Sequence, residues 1–185
     1  MILAHWRARR ASRALIEELR GEIVAAARRP ALYAVLGAPD RLDGRFELVA
    51  LHAGLVLRRL VERGGLGDAI AQDLVNSLFL HFDDTWREMA MSDIAVSKRL
   101  KTMKEAFYGR NAAYAKALDS GRREELADSL VRNVYGGAAG AGRQAAALAD
   151  YVAALDAALA GIPLETFAAG RFRYPEAPIA LEIER

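Results

Sequence analysis

His81, Asp84 and Glu88 fall at i, i+3 and i+7 of one helical stretch, which could line three ligands along a helix for a metal ion. Carboxylate-rich metal sites in helical bundles also need Glu-x-x-His pairs on facing helices. The chain contains none, and neither His5 nor His52 has an acidic residue at matching spacing. Asp83-Asp84 begins like the aspartate-rich motif with which all-α prenyl-transferring enzymes hold magnesium on a diphosphate. Thr85, Trp86 and Arg87 follow instead of a further aspartate, and no second such run occurs. An ion pair from Asp83 or Asp84 to Arg87 accounts for the residues without catalysis. The glycines from Gly136 to Gly142 lack the Lys-Ser/Thr of a phosphate-cradling loop. The serines have no adjacent histidine to activate them. With no cysteine there is no thiol nucleophile, disulfide or Cys-based metal site. No catalytic, cofactor-binding or metal-binding residue is assigned; a binding protein is expected, not an enzyme.

The residues suited to binding lie on one basic helix, from about Ile94 to Leu118. At about 100° per residue, Val96, Leu100, Met103, Phe107, Tyr114 and Leu118 fall within roughly 60° of one another and must pack inward. Lys98, Lys101 and Lys104 point largely away from that stripe, and Tyr108 sits between Lys101 and Lys104, about one turn further on. Phe107 is therefore expected in the core and Tyr108 on the basic face. Two readings of that face stand side by side. Lys98, Lys101, Lys104 and Tyr108, with Arg110 at the stripe's edge, form a partner-binding patch; or the lysines only solvate the helix while the tyrosine ring covers their stems. Gly109 costs about 1 kcal/mol against Ala in mid-helix, which predicts a tight helix crossing or a bend there.

The elements that position this helix are helical nearly throughout. Leu15, Ile16, Leu19, Ile23, Val24 and Ala27 trace a first helix, with Ser12 as its cap and Pro30 as its stop. Pro30 also opens a short helix that Gly37 and Pro39 end. Asp43 caps a third helix reaching about Arg63, apolar nearly all round and so the buried centre of the fold. Ile70, Leu74, Leu78, Phe82 and Met89 mark a fourth; Ser92 or Asp93 begins the basic fifth; Leu126, Leu130 and Val134 mark a sixth. Residues 136–142 read as a flexible linker before an Ala-rich seventh helix at about 143–160. Beyond Gly161 the pattern fades into an extended tail holding Phe172, Tyr174 and Pro175. The fold class is all-α, a single bundle of about six or seven helices over residues 1–185 with an irregular C-terminal tail.

Length and charge agree with this. The 185 residues suit one domain with one core. A net charge of +2 is too balanced to indicate nucleic-acid binding by itself. Residues 1–30 nevertheless carry seven Arg against three Glu, and residues 98–116 carry six Lys/Arg against one Glu. No apolar run approaches the ~20 residues that cross a bilayer, and the start lacks a secretory apolar segment. Its Arg and Ala content resembles a mitochondrial transit peptide in composition alone.

The run from Asp93 through Lys101, continuing into Ala106-Phe107-Tyr108-Gly109-Arg110, resembles the central motif of the ubiquinol–cytochrome c reductase assembly chaperones. Leu42-Asp43-Gly44-Arg45-Phe46-Glu47 with Leu57-Arg58-Arg59-Leu60, and Phe82-Asp83-Asp84 with Arg87-Glu88-Met89, resemble the segments before it. The likeness spans roughly Tyr33 to Tyr114. Ala90 and Ser92 stand where glycine is expected, and Trp86 replaces an aliphatic residue. The resemblance implies an all-α, non-enzymatic protein that binds newly made cytochrome b or its nascent chain. It further implies a small co-chaperone and the ribosome as partners, and a cytoplasmic site, peripheral at the inner membrane, or a mitochondrial one in a eukaryote. Two alternatives stand beside it. In a nucleic-acid-binding regulator, Lys98 to Lys104 would be a recognition helix and Arg7 to Arg13 an arm. The acidic Asp83-Asp84 precedes that helix where a short helix-turn-helix partner should be, so no specific nucleic acid is expected. In a peripheral membrane protein the first helix would lie on anionic lipid.

Overall fold

The structure is a computed structural model that describes residues 2–88 and 92–179, and the side chains of these from residue 12 onward except 86 and 88. Met89, Ala90 and the side chains of His5, Arg7, Arg9, Arg10, Trp86 and Glu88 lie outside the described residues.

Among the described residues there are six long helices and two of five residues. They are α1 (Ile2–Ala27), α2 (Pro30–Ala34), α3 (Leu42–Val61), α4 (Leu66–Glu88), α5 (Asp93–Asp119), α6 (Arg123–Asn133), α7 (Gly142–Ala160) and α8 (Leu164–Ala168). The all-α expectation holds. α3 is the centre, packing against α1, α4, α5 and α7. Its apolar surround explains this: Leu48, Leu51, Ala53, Val56 and Leu60 are at most 1% exposed, though they point to different sides of the helix.

Three local expectations need correction. Ser12 caps nothing, because α1 already begins at Ile2. Asp43 does not cap α3 either: Arg41 holds the N-cap position without a side-chain bond, and Asp43 lies in the first turn. There its charge suits the helix dipole and pairs with Arg99 on α5 at 2.8 Å. The chain beyond Gly161 forms the short α8 before becoming extended at residues 171–179. Other signals hold. Pro30 opens α2, Gly37 follows it at φ +64, and Ser92 accepts a hydrogen bond from the Ala95 N–H as the cap of α5.

The 136–142 stretch is a run of turns between two anchors. Tyr135 is buried and donates its hydroxyl to the Leu36 carbonyl at 2.7 Å, and Ala141 is buried too. The tail is also anchored. Phe172 stacks on Phe167 with ring centroids 4.7 Å apart, and Tyr174 donates to the His52 carbonyl at 3.0 Å.

At the far end of α3, Arg58 reaches Asp119 of α5 at 2.5 Å, while Arg59 reaches Asp156 of α7 at 2.6 Å. These arginines therefore tie three helices together. Arg59 and Asp156 are each 9% exposed, so removing either leaves its partner's charge buried.

Candidate functional site

The helical arithmetic for α5 is realised. Val96, Phe107 and Tyr114 are buried, and Leu100, Met103 and Leu118 pack partly buried against the core. Lys98, Lys101 and Lys104 are exposed, and Tyr108 is 55% exposed. The neighbouring rings of Phe107 and Tyr108 divide as expected: their centroids are 5.5 Å apart at 83°, one ring in the core and the other outside. The Lys104 ammonium sits over the Phe79 ring, 5.2 Å from its centroid, and Phe79 packs edge-on against Phe107. Lys104 is thus held by a cation–π contact rather than freely solvated.

Ile94 belongs to this face although the spacing argument did not single it out. It is 84% exposed, and steps of seven residues place Ile94, Lys101 and Tyr108 nearly in line along the helix. A lone aliphatic residue in the first turn looks like core in the sequence; only its neighbours reveal that nothing covers it.

Gly109 departs from expectation. A side chain there would meet nothing within 4 Å, and the helix runs through it without a close crossing. The close approach is at Gly54 of α3, where a Cβ would collide with the Asn111 side chain of α5. An isolated glycine within the apolar run Leu48 to Leu57 was the available signal. Gly109 instead leaves bare helix backbone beside Tyr108 on the outer face.

Arg110 turns to the other side of α5 and pairs with Glu47 of α3. Glu47 is 8% exposed, and burial pushes its carboxyl up to about 7 despite that guanidinium. The pair lies in a cleft of about 540 Å3 between the N-terminal half of α3 and α1, α4, α5 and the end of α6. Arg28, Arg41, Arg45, Arg99, Arg110 and Arg132 line it, against the carboxylates of Asp43 and Glu47. Val24, Phe46, Val49, Phe82 and Met103 supply apolar wall. Phe46 meets Phe82 edge-on at 5.0 Å.

Of the row His81, Asp84 and Glu88, the two described side chains, His81 and Asp84, do not converge. His81 lines the cleft, whereas Asp84 lines a separate polar groove between α1 and α4. Burial and then the charges of Arg20 and Arg28 hold the His81 imidazole below its usual range. Among the described residues no three His, Asp or Glu side chains converge. Asp83 pairs with Arg87 at 2.9 Å, as the spacing suggests, and Arg87 also bridges to Asp93 at the start of α5.

His52, unassigned by spacing, is fully buried. Its Nδ1 lies 2.7 Å from the Leu48 carbonyl, which can only accept, so Nδ1 carries the proton. Nε2 then accepts from the Tyr151 hydroxyl at 3.0 Å. Desolvation lowers the imidazole to about 4. The two tyrosine partners of His52 lie 99 and 122 residues further along the chain, so no local pattern announces them. This cluster organises the tail; it offers no site.

A family model described as ubiquinol-cytochrome C chaperone matches residues 34–174. Among solved structures, the crystal structure of the Cbp3 homolog from Brucella abortus superposes with a TM-score of 0.84 at 34% sequence identity, covering 95% of this chain and 97% of that one. No curated protein sequence matches. Among the described residues, no helix is long and apolar enough to cross a membrane.

Proposed function

Because the chain belongs to the ubiquinol-cytochrome C chaperone family, we propose that it is a non-enzymatic chaperone that binds newly made cytochrome b for assembly of the ubiquinol–cytochrome c reductase, and that the outer face of α5 makes the contact. The observation that carries the surface is the exposure of Ile94 and Tyr108, at 84% and 55%, on a helix that packs into the bundle through Val96, Phe107 and Tyr114. An aliphatic and an aromatic side chain among lysines combine apolar grip with a cationic rim, the composition that partner surfaces favour. The uncovered backbone at Gly109 lets a partner come close beside Tyr108. Lys98, Lys101 and Tyr108 are the contact residues; Lys104 supports them from over Phe79. Arg110 contributes indirectly, through Glu47 and the packing of α5 on α3.

Affinity purification of the protein from native membranes tests the client. Cytochrome b is expected among the captured proteins, and deletion should remove assembled reductase while other b-type cytochromes persist. Normal reductase in a clean deletion would exclude the reading.

A further inference from the structure

The cleft on the opposite side of α5 from the outer face has a composition that neither packing nor client binding explains. Arg45 is paired with Asp40 at 2.6 Å, Arg99 with Asp43 and Arg110 with Glu47. Arg28, Arg41 and Arg132 are further cations on the same wall, so positive charge exceeds negative. Beneath them four helices contribute apolar surface, Val24 from α1, Phe46 and Val49 from α3, Phe82 from α4 and Met103 from α5. A volume of about 540 Å3 falls within the ~300–1,000 Å3 of sites that enclose small ligands.

We propose that this cleft binds a single anionic acyl amphiphile, a fatty acid or an anionic phospholipid, with its carboxylate or phosphate on the arginine rim and its chain over Phe46, Phe82 and Met103. Guanidinium groups match carboxylate and phosphate oxygens in bidentate geometry. An inorganic anion would satisfy the rim but leave the apolar wall wet. An acidic peptide would bring backbone N–H and C=O groups against Phe46, Phe82 and Met103, which offer them no partner, a desolvation cost that an acyl chain avoids.

The full chain is titrated with cis-parinaric acid below its micelle concentration, followed by displacement with palmitoleate or palmitoleyl alcohol. One saturable site is expected, with the alcohol at least tenfold weaker than the acid. Arg28→Glu with Arg132→Glu should weaken binding at least tenfold. Thr85→Phe, which fills the cleft without changing charge, should do the same. Arg143→Glu with Arg171→Glu alters charge outside the cleft and should leave binding unchanged, as should Lys101→Glu with Tyr108→Ser on the outer face, so that loss of client capture and loss of this site remain separable. Uptake of labelled phosphatidylglycerol from vesicles identifies the phospholipid as the source of the chemistry; binding of palmitoleate alone identifies the free acid. Equal affinity for acid and alcohol, insensitivity to both cleft variants, vesicle binding with neither lipid uptake nor palmitoleate binding, or cleft binding of an acidic peptide in place of any amphiphile overturns the proposal.

Discussion

Asn111 of α5 occupies the space that a side chain at Gly54 of α3 would need, so the two helices meet at a point where only hydrogen fits. The obstruction is the end of the Asn111 side chain, so that side chain must turn aside, or α5 shift, to admit a methyl group. Gly54→Ala is expected to destabilise by about 1–3 kcal/mol, the usual range for overpacking. Gly109→Ala, with open space around it, is expected to stabilise by about 1 kcal/mol through helix propensity alone. Urea midpoints of the two variants measure this directly; equal effects of the same sign would remove Gly54 as the crossing point.

Glu47 sets one pH dependence. Its folded-state carboxyl lies at about 7, raised from 4.5 chiefly by burial. The sign follows from linkage: a raised pKa gives stability fully present below about pH 4.5, which is lost as pH rises through about 7. The gap corresponds to roughly 3 kcal/mol between those limits. Glu47→Gln removes the titration, so its stability should fall less between pH 5 and 8 than that of the parent chain. Urea denaturation at half-unit pH steps reads the slope; identical slopes would exclude Glu47 as their origin.

His52 acts in the opposite sense. Burial lowers its pKa from 6.5 to about 4, so it contributes stability present above about pH 6.5 and lost as pH falls toward 4. The imidazole links Leu48 to Tyr151, and its backbone carbonyl receives Tyr174, so acid should loosen the tail with the core. Tyr174→Phe keeps the ring and removes only the hydroxyl, with an expected cost of about 1 kcal/mol, since the His52 carbonyl keeps its bond within α3. Protease cleavage within residues 171–179 should begin at higher pH in that variant than in the parent. No change in cleavage would separate the tail from His52.

Periodicity revealed the helices and the central role of α3, because a helix apolar on every side has no surface to leave in water. It also divided Phe107 from Tyr108 correctly, since one 100° step separates a core stripe from an outer face. It misplaced the glycine contact. Propensity assigns a cost to Gly109 but cannot say whether anything stands opposite, and the real crossing depends on Asn111 reaching α3 from 57 positions away. Arg110 and Glu47 likewise meet across 63 positions. Asp43 has the residue type of a helix cap, yet its charge serves an ion pair with Arg99. The cleft was not legible because its arginines come from the turn after α1, the α2–α3 connection, α3, α5 and α6, and each alone looks like a solvated cation.

The outer face of α5 carries the last prediction. Lys98→Glu, Lys101→Glu and Tyr108→Ala together reverse its charge and remove its aromatic ring without touching the buried stripe of Val96, Phe107 and Tyr114. Exposed substitutions of this kind usually change stability by no more than about 0.5 kcal/mol each, so the variant should fold and retain its thermal midpoint within a few degrees. Capture of cytochrome b should fall at least tenfold, and assembled reductase should fall with it in a complemented deletion strain. Lys104→Ala is the informative comparison. Its ammonium covers Phe79, so it should lower stability modestly while reducing capture less than the Lys101 change does. Wild-type capture by the triple variant would move the client contact away from α5 altogether.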